Sequence, residues 1–309
     1  MLASVFSKSR PVNFIIIALL LIAVYFAYTF KDTSWTQSYL LVGRNAALLI
    51  LLAGSLFLDN FITRRNNLSK SNTYAMFLYM LFLILFPTIL VNVKIIVANF
   101  FILLALRRLI SMQSLITPKE KIFDASFWIL AAAVFHFWCI LFLILVFVSI
   151  VFHVSRDYRN WLIPFIAFFA VAIIYCMASL ALTGQFFGNI GDEATVSFVF
   201  TYFENIYQRI ALALFSSITA LFAFSQFVSL PGKPLNMQAS YKKIYFSFAI
   251  GVAIYVLSSG KNNSFLAFTF APLSVMGANY LESQDNTWFR EVVLGLFVAG
   301  AVVLFAAQL

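Results

Sequence analysis

The sequence predicts an all-α polytopic integral membrane protein, folded as a single integral-membrane domain over residues 1–309. Three observations carry this expectation. Hydrophobic residues make up 63% of the chain and charged residues only 10%, too little polar surface for a soluble body of this length. The apolar residues fall in continuous runs rather than in strict alternation, which favours helices over a lipid-exposed barrel. Mean hydropathy is +0.97, and clusters of Lys and Arg recur at every second break between runs, as the positive-inside rule requires.

Each segment follows from its length and its flanking charges. The first run, 12–30, comes after Lys8 and Arg10 and shows no small-residue cleavage pattern before KDTSWTQ, so it reads as an uncleaved helix running outward. Residues 38–62 return to Arg64, Arg65 and Lys70, 72–90 go out, and 94–110 return to Arg107 and Arg108. Residues 111–121 stay inside with Lys119 and Lys121.

The stretch 123–153 is too long for one straight crossing and short for two, since one takes about 20 residues. Cations flank both of its ends, so it folds as a hairpin turning near His136, with a first arm that reaches only part of the way across. Residues 161–182 go out, 183–208 form the longest outer loop, and 209–230 return to the PGKP turn. A short segment, 244–257, rises to SSGKNN; 264–281 returns to ESQDNTWFRE; and 292–309 leaves the C-terminus outside. The scheme has about 11 transmembrane helices, including two short hairpins, at about 20 residues per full crossing. It shows no internal repeat and no soluble domain.

Composition excludes several chemistries. Cys139 and Cys176 each sit inside an apolar run and read as packing residues, not as a disulfide. His136 and His153 fall on opposite faces of the membrane, so neither a histidine-box metal site nor any cofactor is expected. No phosphate-binding loop, dinucleotide fingerprint or nucleophile elbow occurs, and no nucleic-acid partner is implied. The acids, Asp59 and Asp124 included, fall near helix ends or in loops, which argues against proton-coupled transport.

The informative residues are the cations on the outer side: Lys31, Arg44, Lys94, Arg209 and Lys261. Insertion gives no reason for charge there, whereas an anionic ligand such as a lipid phosphate does. Arg44 lies about two turns inside its helix, at 1.5 Å per residue, and must snorkel or find a partner such as Asp32, Glu204 or a phosphate. Lys94 and Lys261 occupy tight outer turns, and His136 sits between Phe135 and Phe137 at the hairpin turn. The phosphate-binding candidates are therefore Arg44, Lys94, His136, Arg209 and Lys261. The candidate catalytic acids are Asp32, alone in the first outer loop, and the adjacent pair Asp192 and Glu193 in the largest.

Residues 258–282, SSGKNNSFLAFTFAPLSVMGANYLE, resemble a late segment of GT-C-type, polyprenyl-phosphate-dependent glycosyltransferases. The matching features are Lys261 in an outer turn, then Pro272 and the small pair Gly277 and Ala278 on the following helix. The block from RRLISMQ through FHFWCILFLILVF resembles the central short hairpin of those enzymes. The chain also resembles, over most of its length, a multipass inner-membrane family of Bacteroidota that carries no established activity. The resemblance implies a GT-C-like fold in the bacterial inner membrane, with the N-terminus cytoplasmic and the C-terminus periplasmic. It also implies an outer-face site for a polyprenyl-phosphate-linked sugar in envelope glycan or lipid assembly. Arg44, Arg209 and Lys261 would hold the phosphate, and Asp32 or Asp192 would act on an acceptor hydroxyl. In those enzymes the catalytic acid stands in a long first outer loop, whereas here that loop is only KDTSWTQ. Two rival expectations are a non-catalytic scaffold subunit with envelope-complex protein partners, and a lipid or solute transporter.

Overall fold

The computed structural model describes residues 2–184, 194–198 and 205–309. Its regular elements are helices throughout: α1 Leu2–Phe6, α2 Pro11–Thr29, α3 Tyr39–Arg65, α4 Tyr74–Leu85, α5 Val93–Ser111, α6 Pro118–Phe135, α7 Leu143–His153, α8 Arg159–Thr183, α9 Ile206–Ser229, α10 Leu235–Leu257, α11 Ala267–Ser283 and α12 Thr287–Gln308. Among the described residues, seven helical segments are long and apolar enough to cross a membrane. An isolated β-bridge pairs Val196 with Ser258.

Local chemistry sets the helix limits. Pro11 and Pro118 open α2 and α6, where the missing N–H costs nothing. Asn92, Asn205 and Asn286 cap α5, α9 and α12 by accepting the N–H of Ile95, Tyr207 and Trp288. Gly184, at φ +71°, ends α8 in the left-handed region.

The core is a helix wrapped in other helices. α11 is buried from Ala267 to Leu281, while few residues of α8 are buried and it forms the rim. α11 packs on α4, α9 and α10. Close approach needs small residues there, and a Cβ on Gly277 would stand 2.6 Å from both Leu78 and Phe222. Phe82, Phe86, Phe215, Phe270 and Phe297 interlock beside it, with ring centroids 5.2–6.2 Å apart. α4, with 12 residues, is too short to span a bilayer core of about 30 Å and is buried along its whole length. It continues through a 3₁₀ turn, Pro87–Val91.

The connections gather at two ends. At one, Arg64 donates to Ser9, Tyr241 to the Leu68 carbonyl and Ser240 to Gln113, and Lys119 pairs with Asp157. Ser69, Asn72 and the Lys70 N–H all donate to one Glu282 oxygen. At the other end, Lys31 donates to the Gln308 carbonyl, Asn92 to Ser264, and Asn263 to the Gln208 carbonyl. The chain termini lie at opposite ends, since the Ala3 N–H meets Glu291 whereas Gln308 meets Leu85. The first end holds the clusters at positions 64–70, 107–108 and 119–121; the second holds Lys31, Lys94 and Lys261.

Two segment expectations are corrected. The hairpin turns at His136 as its sequence requires, but its first arm is not a short one: α6 has 18 residues, and the second arm joins a 3₁₀ stretch, Phe137–Phe142, to the 11 residues of α7. The segment expected at 244–257 is not short, because α10 has 23 residues and begins directly after the PGKP turn. Lys243 lies within it, fully buried, with its ammonium on the Leu109 carbonyl at 2.5 Å. That bond lets a cation extend the helix where hydropathy alone ends it.

Candidate functional site

The site lies at the end of the bundle with few cations, between the start of α5, the α6–α7 turn and the connection from α10 to α11. Asn92 fixes the start of α5 by capping it and by donating to Ser264 across the gap at 3.0 Å. This sets Lys94 in the first turn of α5. His136 follows the last residue of α6 in an extended conformation, φ −146° and ψ 106°, so the chain swings out of the helix there. Its ring packs on Phe265 and Phe268, with centroids at 4.7 and 5.6 Å.

The bonds of His136 define its tautomer. Ser258 spends its one hydroxyl proton on the Ile254 carbonyl at 2.7 Å. His136 Nε2, 3.1 Å from the same oxygen, must then be the donor. The ring is thereby oriented, with Nε2 protonated.

Lys94 and His136 line one cavity of about 220 Å³, together with Asn92, Trp138, Asn262 and Phe265. The Trp138 indole N–H is buried and has no hydrogen-bond partner among the described residues. A buried donor left unpaired costs about 1–3 kcal/mol, and a partner in the cavity would remove that cost. The lining therefore brings the Lys94 ammonium together with Trp138, whose indole N–H can only donate, while the His136 Nε2–H is already spent on Ser258. The Lys261 turn forms one edge. Its ammonium is buried and donates to the Ser197 carbonyl, which ties the turn to the segment at 194–198. Burial pushes this ammonium below the usual lysine range.

The other expected residues are distributed differently. Arg209 is exposed at the start of α9, next to Gln208, whose carbonyl accepts from Asn263. Arg44 is exposed on α3, within electrostatic reach of Tyr25, and forms no ion pair with Asp32 among the described residues. Asp32 is exposed just past α2 and does not line the cavity. Asp192, Glu193 and Glu204 lie outside the described residues. The site thus unites Lys94 and His136, sets Lys261 at its edge, and leaves Arg44 and Asp32 out.

Two residues escaped the sequence reading. Trp138 stands two positions after the turn histidine in FHFWC, a string that reads as ordinary interfacial aromatics. Asp59 was grouped with the acids near helix ends or in loops; it is 1% exposed and accepts a hydrogen bond from Ser274 of α11 at 2.9 Å. Tyr79 and Asn99, bonded to each other at 2.7 Å, are buried in the same core. The signal was present in LFLDNFI, where an acid interrupts an apolar run well before the terminal arginines.

Fold and site together define a multipass helical membrane protein with a small cavity, lined by Lys94 and His136, at one end of its bundle. The family model "Family of unknown function (DUF6427)" matches residues 1–309, and the chain belongs to that family. No curated protein and no solved structure matches it.

Proposed function

We propose that this protein works in bacterial envelope glycan or lipid assembly, binding the phosphate of a polyprenyl-phosphate-linked substrate in the Lys94–His136–Trp138 cavity. The observation that supports this reading is the unpartnered Trp138 N–H beside a lysine and an oriented histidine. The Lys261 turn forms one edge of the cavity through Ser259 and Asn262, and Arg209 follows Gln208, whose carbonyl accepts from Asn263 of the same connection. The polyprenyl class comes from the GT-C-like features at Lys261, Pro272 and Gly277. The finer topology belongs to the same proposal: a bacterial inner-membrane protein with about 11 transmembrane helices, two short hairpins included, at about 20 residues per full crossing, its N-terminus cytoplasmic and its C-terminus periplasmic. The cation-rich end then faces the cytoplasm, and the cavity faces outward.

Among the described residues no carboxylate lines the cavity, so substrate binding is better supported than sugar transfer. Transfer requires Asp32, Asp192 or Glu193 to reach the acceptor. One observation favours the scaffold reading: His136 and Lys261 already hold bonds to Ser258 and Ser197. Another, the buried Asp59, favours transport.

The test is native mass spectrometry of the protein with added polyprenyl phosphate. Retention by the wild type should fall about tenfold in Lys94→Gln, the loss expected for one charge-assisted hydrogen bond, and should also fall in Trp138→Phe. Equal retention by all three proteins would rule out this cavity as the phosphate site.

A further inference from the structure

At the opposite end lies a larger cleft, of about 580 Å³, between the ends of α3 and α5, the 112–117 connection and the start of α6. Arg65, Arg107, Arg108 and Lys121 line it, and no carboxylate does. Two of these cations have local tasks. Arg108 pairs with Asp124 at 2.8 Å. Lys121 donates to the Ser111 carbonyl and the Ser114 hydroxyl, both at 2.8 Å, and so ties the connection to α6. Arg65 and Arg107 have no carboxylate partner among the described residues. The Arg107 guanidinium lies over the Phe61 ring, 4.9 Å from its centroid. Stacking of that kind fixes the plane of the guanidinium and leaves its edge N–H groups directed outward.

The insertion rule asks for cations on one side of the membrane, not for their convergence in a concavity. The helix dipole explains a cation at the last turn of α3 or α5 but not one in the first turn of α6, where Lys121 stands. Burial pushes the Lys121 ammonium below the usual lysine range, and the Arg108 charge acts in the same direction. The backbone supplies a second, independent observation. Among the described residues, the non-glycine positions with positive φ are Asn67 at 52°, Leu115 at 53° and Thr117 at 44°. All three belong to the two connections that wall this cleft. Left-handed backbone is unfavourable for leucine and threonine, and strain of this sort concentrates at ligand sites. The volume falls in the usual range for small-molecule sites, roughly 300–1,000 Å³.

We propose that this cleft binds a phosphate-bearing anion, with Arg65 and Arg107 as its principal ligands and the Phe61 ring as the support of the second. The site is separate from the Lys94–His136 cavity, and neither reading depends on the other. The anion is either the headgroup of an anionic phospholipid or a soluble diphosphate, and both offer the oxygens that an arginine fork matches.

The decisive variant is the double substitution Arg65→Lys/Arg107→Lys. It preserves every charge, hence insertion and dipole interactions, and removes only the planar forks. Binding of inorganic pyrophosphate is measured by calorimetry in detergent. Retention of phosphatidylglycerol against phosphatidylcholine is measured by native mass spectrometry after release from nanodiscs. The wild type should bind one of the two probes, the first marking a soluble ligand and the second a lipid. The double variant should bind that probe about tenfold more weakly, while Lys242→Gln, at a cation outside the cleft lining, binds it as the wild type does. If the double variant unfolds, Phe61→Leu replaces it and should weaken the same binding. The proposal is overturned if the wild type binds neither probe, if the folded cleft variants bind as tightly as the wild type, or if Lys242→Gln weakens binding equally.

Discussion

The two ends of this bundle carry positive charge for different reasons. At the end holding Arg65, Arg107, Arg108 and Lys121, membrane insertion alone accounts for an excess of cations. Charge there is weak testimony to function until cavity shape and backbone strain are added. At the other end insertion gives no account of Lys94 or Lys261, so each cation calls for a local explanation. For Lys261 that explanation is structural, a buried bond to the Ser197 carbonyl. For Lys94 it is a cavity shared with His136 and an unpartnered indole. A count of charges cannot separate the two ends; the partners of each charge can.

This contrast is open to test, and the largest effect should come from the cation-rich end. Glu282 accepts from Ser69, Asn72 and the Lys70 N–H, holding the α3–α4 connection against α11. Replacing it with Ala strands these donors and should cost about 2–4 kcal/mol, read as a lower melting temperature in detergent. Retention of polyprenyl phosphate by the protein that remains folded should not change. If retention falls in step with stability, the ends are coupled and the contrast fails.

The next test concerns sidedness. Reporter fusions at Ser71 and Gln238 should report the cytoplasm, and a fusion at Leu309 the periplasm. Ser71 stands among the pairings of the cation-rich end and Leu309 follows α12 at the other. The same compartment for all three would contradict opposite ends for the termini. A smaller effect is expected from His136→Asn. Asn keeps a donor for Ser258 but loses the ring contacts with Phe265 and Phe268, so lipid retention should fall less than in Lys94→Gln.

The smallest effect is a pH dependence at the cation-rich end. Asp157 is held below the usual carboxylate range, first by the Arg159 backbone N–H and then by Lys119. A depressed carboxyl contributes stability above its unfolded pKa, about 3.9, and loses it as pH falls through the lower folded value. The wild type should therefore lose slightly more stability than Asp157→Asn on acidification below about pH 4. On an exposed pair the difference is small. A steeper loss in the variant would reverse the assignment.

Much of the helix pattern was legible because apolar runs and their breaks are set by the chain itself. The turn at His136 followed from cations on both flanks of one long run. The length of α10 did not, because Lys242 and Lys243 look like a cytoplasmic boundary until their contacts are seen. Lys243 is buried on the Leu109 carbonyl, and Lys242 lies over the Phe152 ring at 5.9 Å. Asp59 was misjudged for the same reason: its partner Ser274 is distant in sequence. In the site, Lys94 and His136 were legible because a polar residue in an outer turn stands out. Trp138 was hidden among many aromatics, and Arg44 and Asp32 were grouped with the site by side of the membrane, which does not specify a neighbour.

The enclosed helix α11 bears on how the protein is made. Its segment has a hydropathy of 1.2, the lowest of the seven apolar segments, against 2.5 for the rim segment that contains α8. It follows nearly all of its packing partners in the order of synthesis. A segment that leaves the ribosome late, and is only weakly attracted to lipid, enters the membrane largely because α4, α9 and α10 already offer it a protein surface. A chain arrested before α11 would leave that surface facing lipid. Assembly is therefore completed by the last quarter of the sequence, and truncation there should deliver the chain to membrane proteolysis rather than yield a smaller stable bundle.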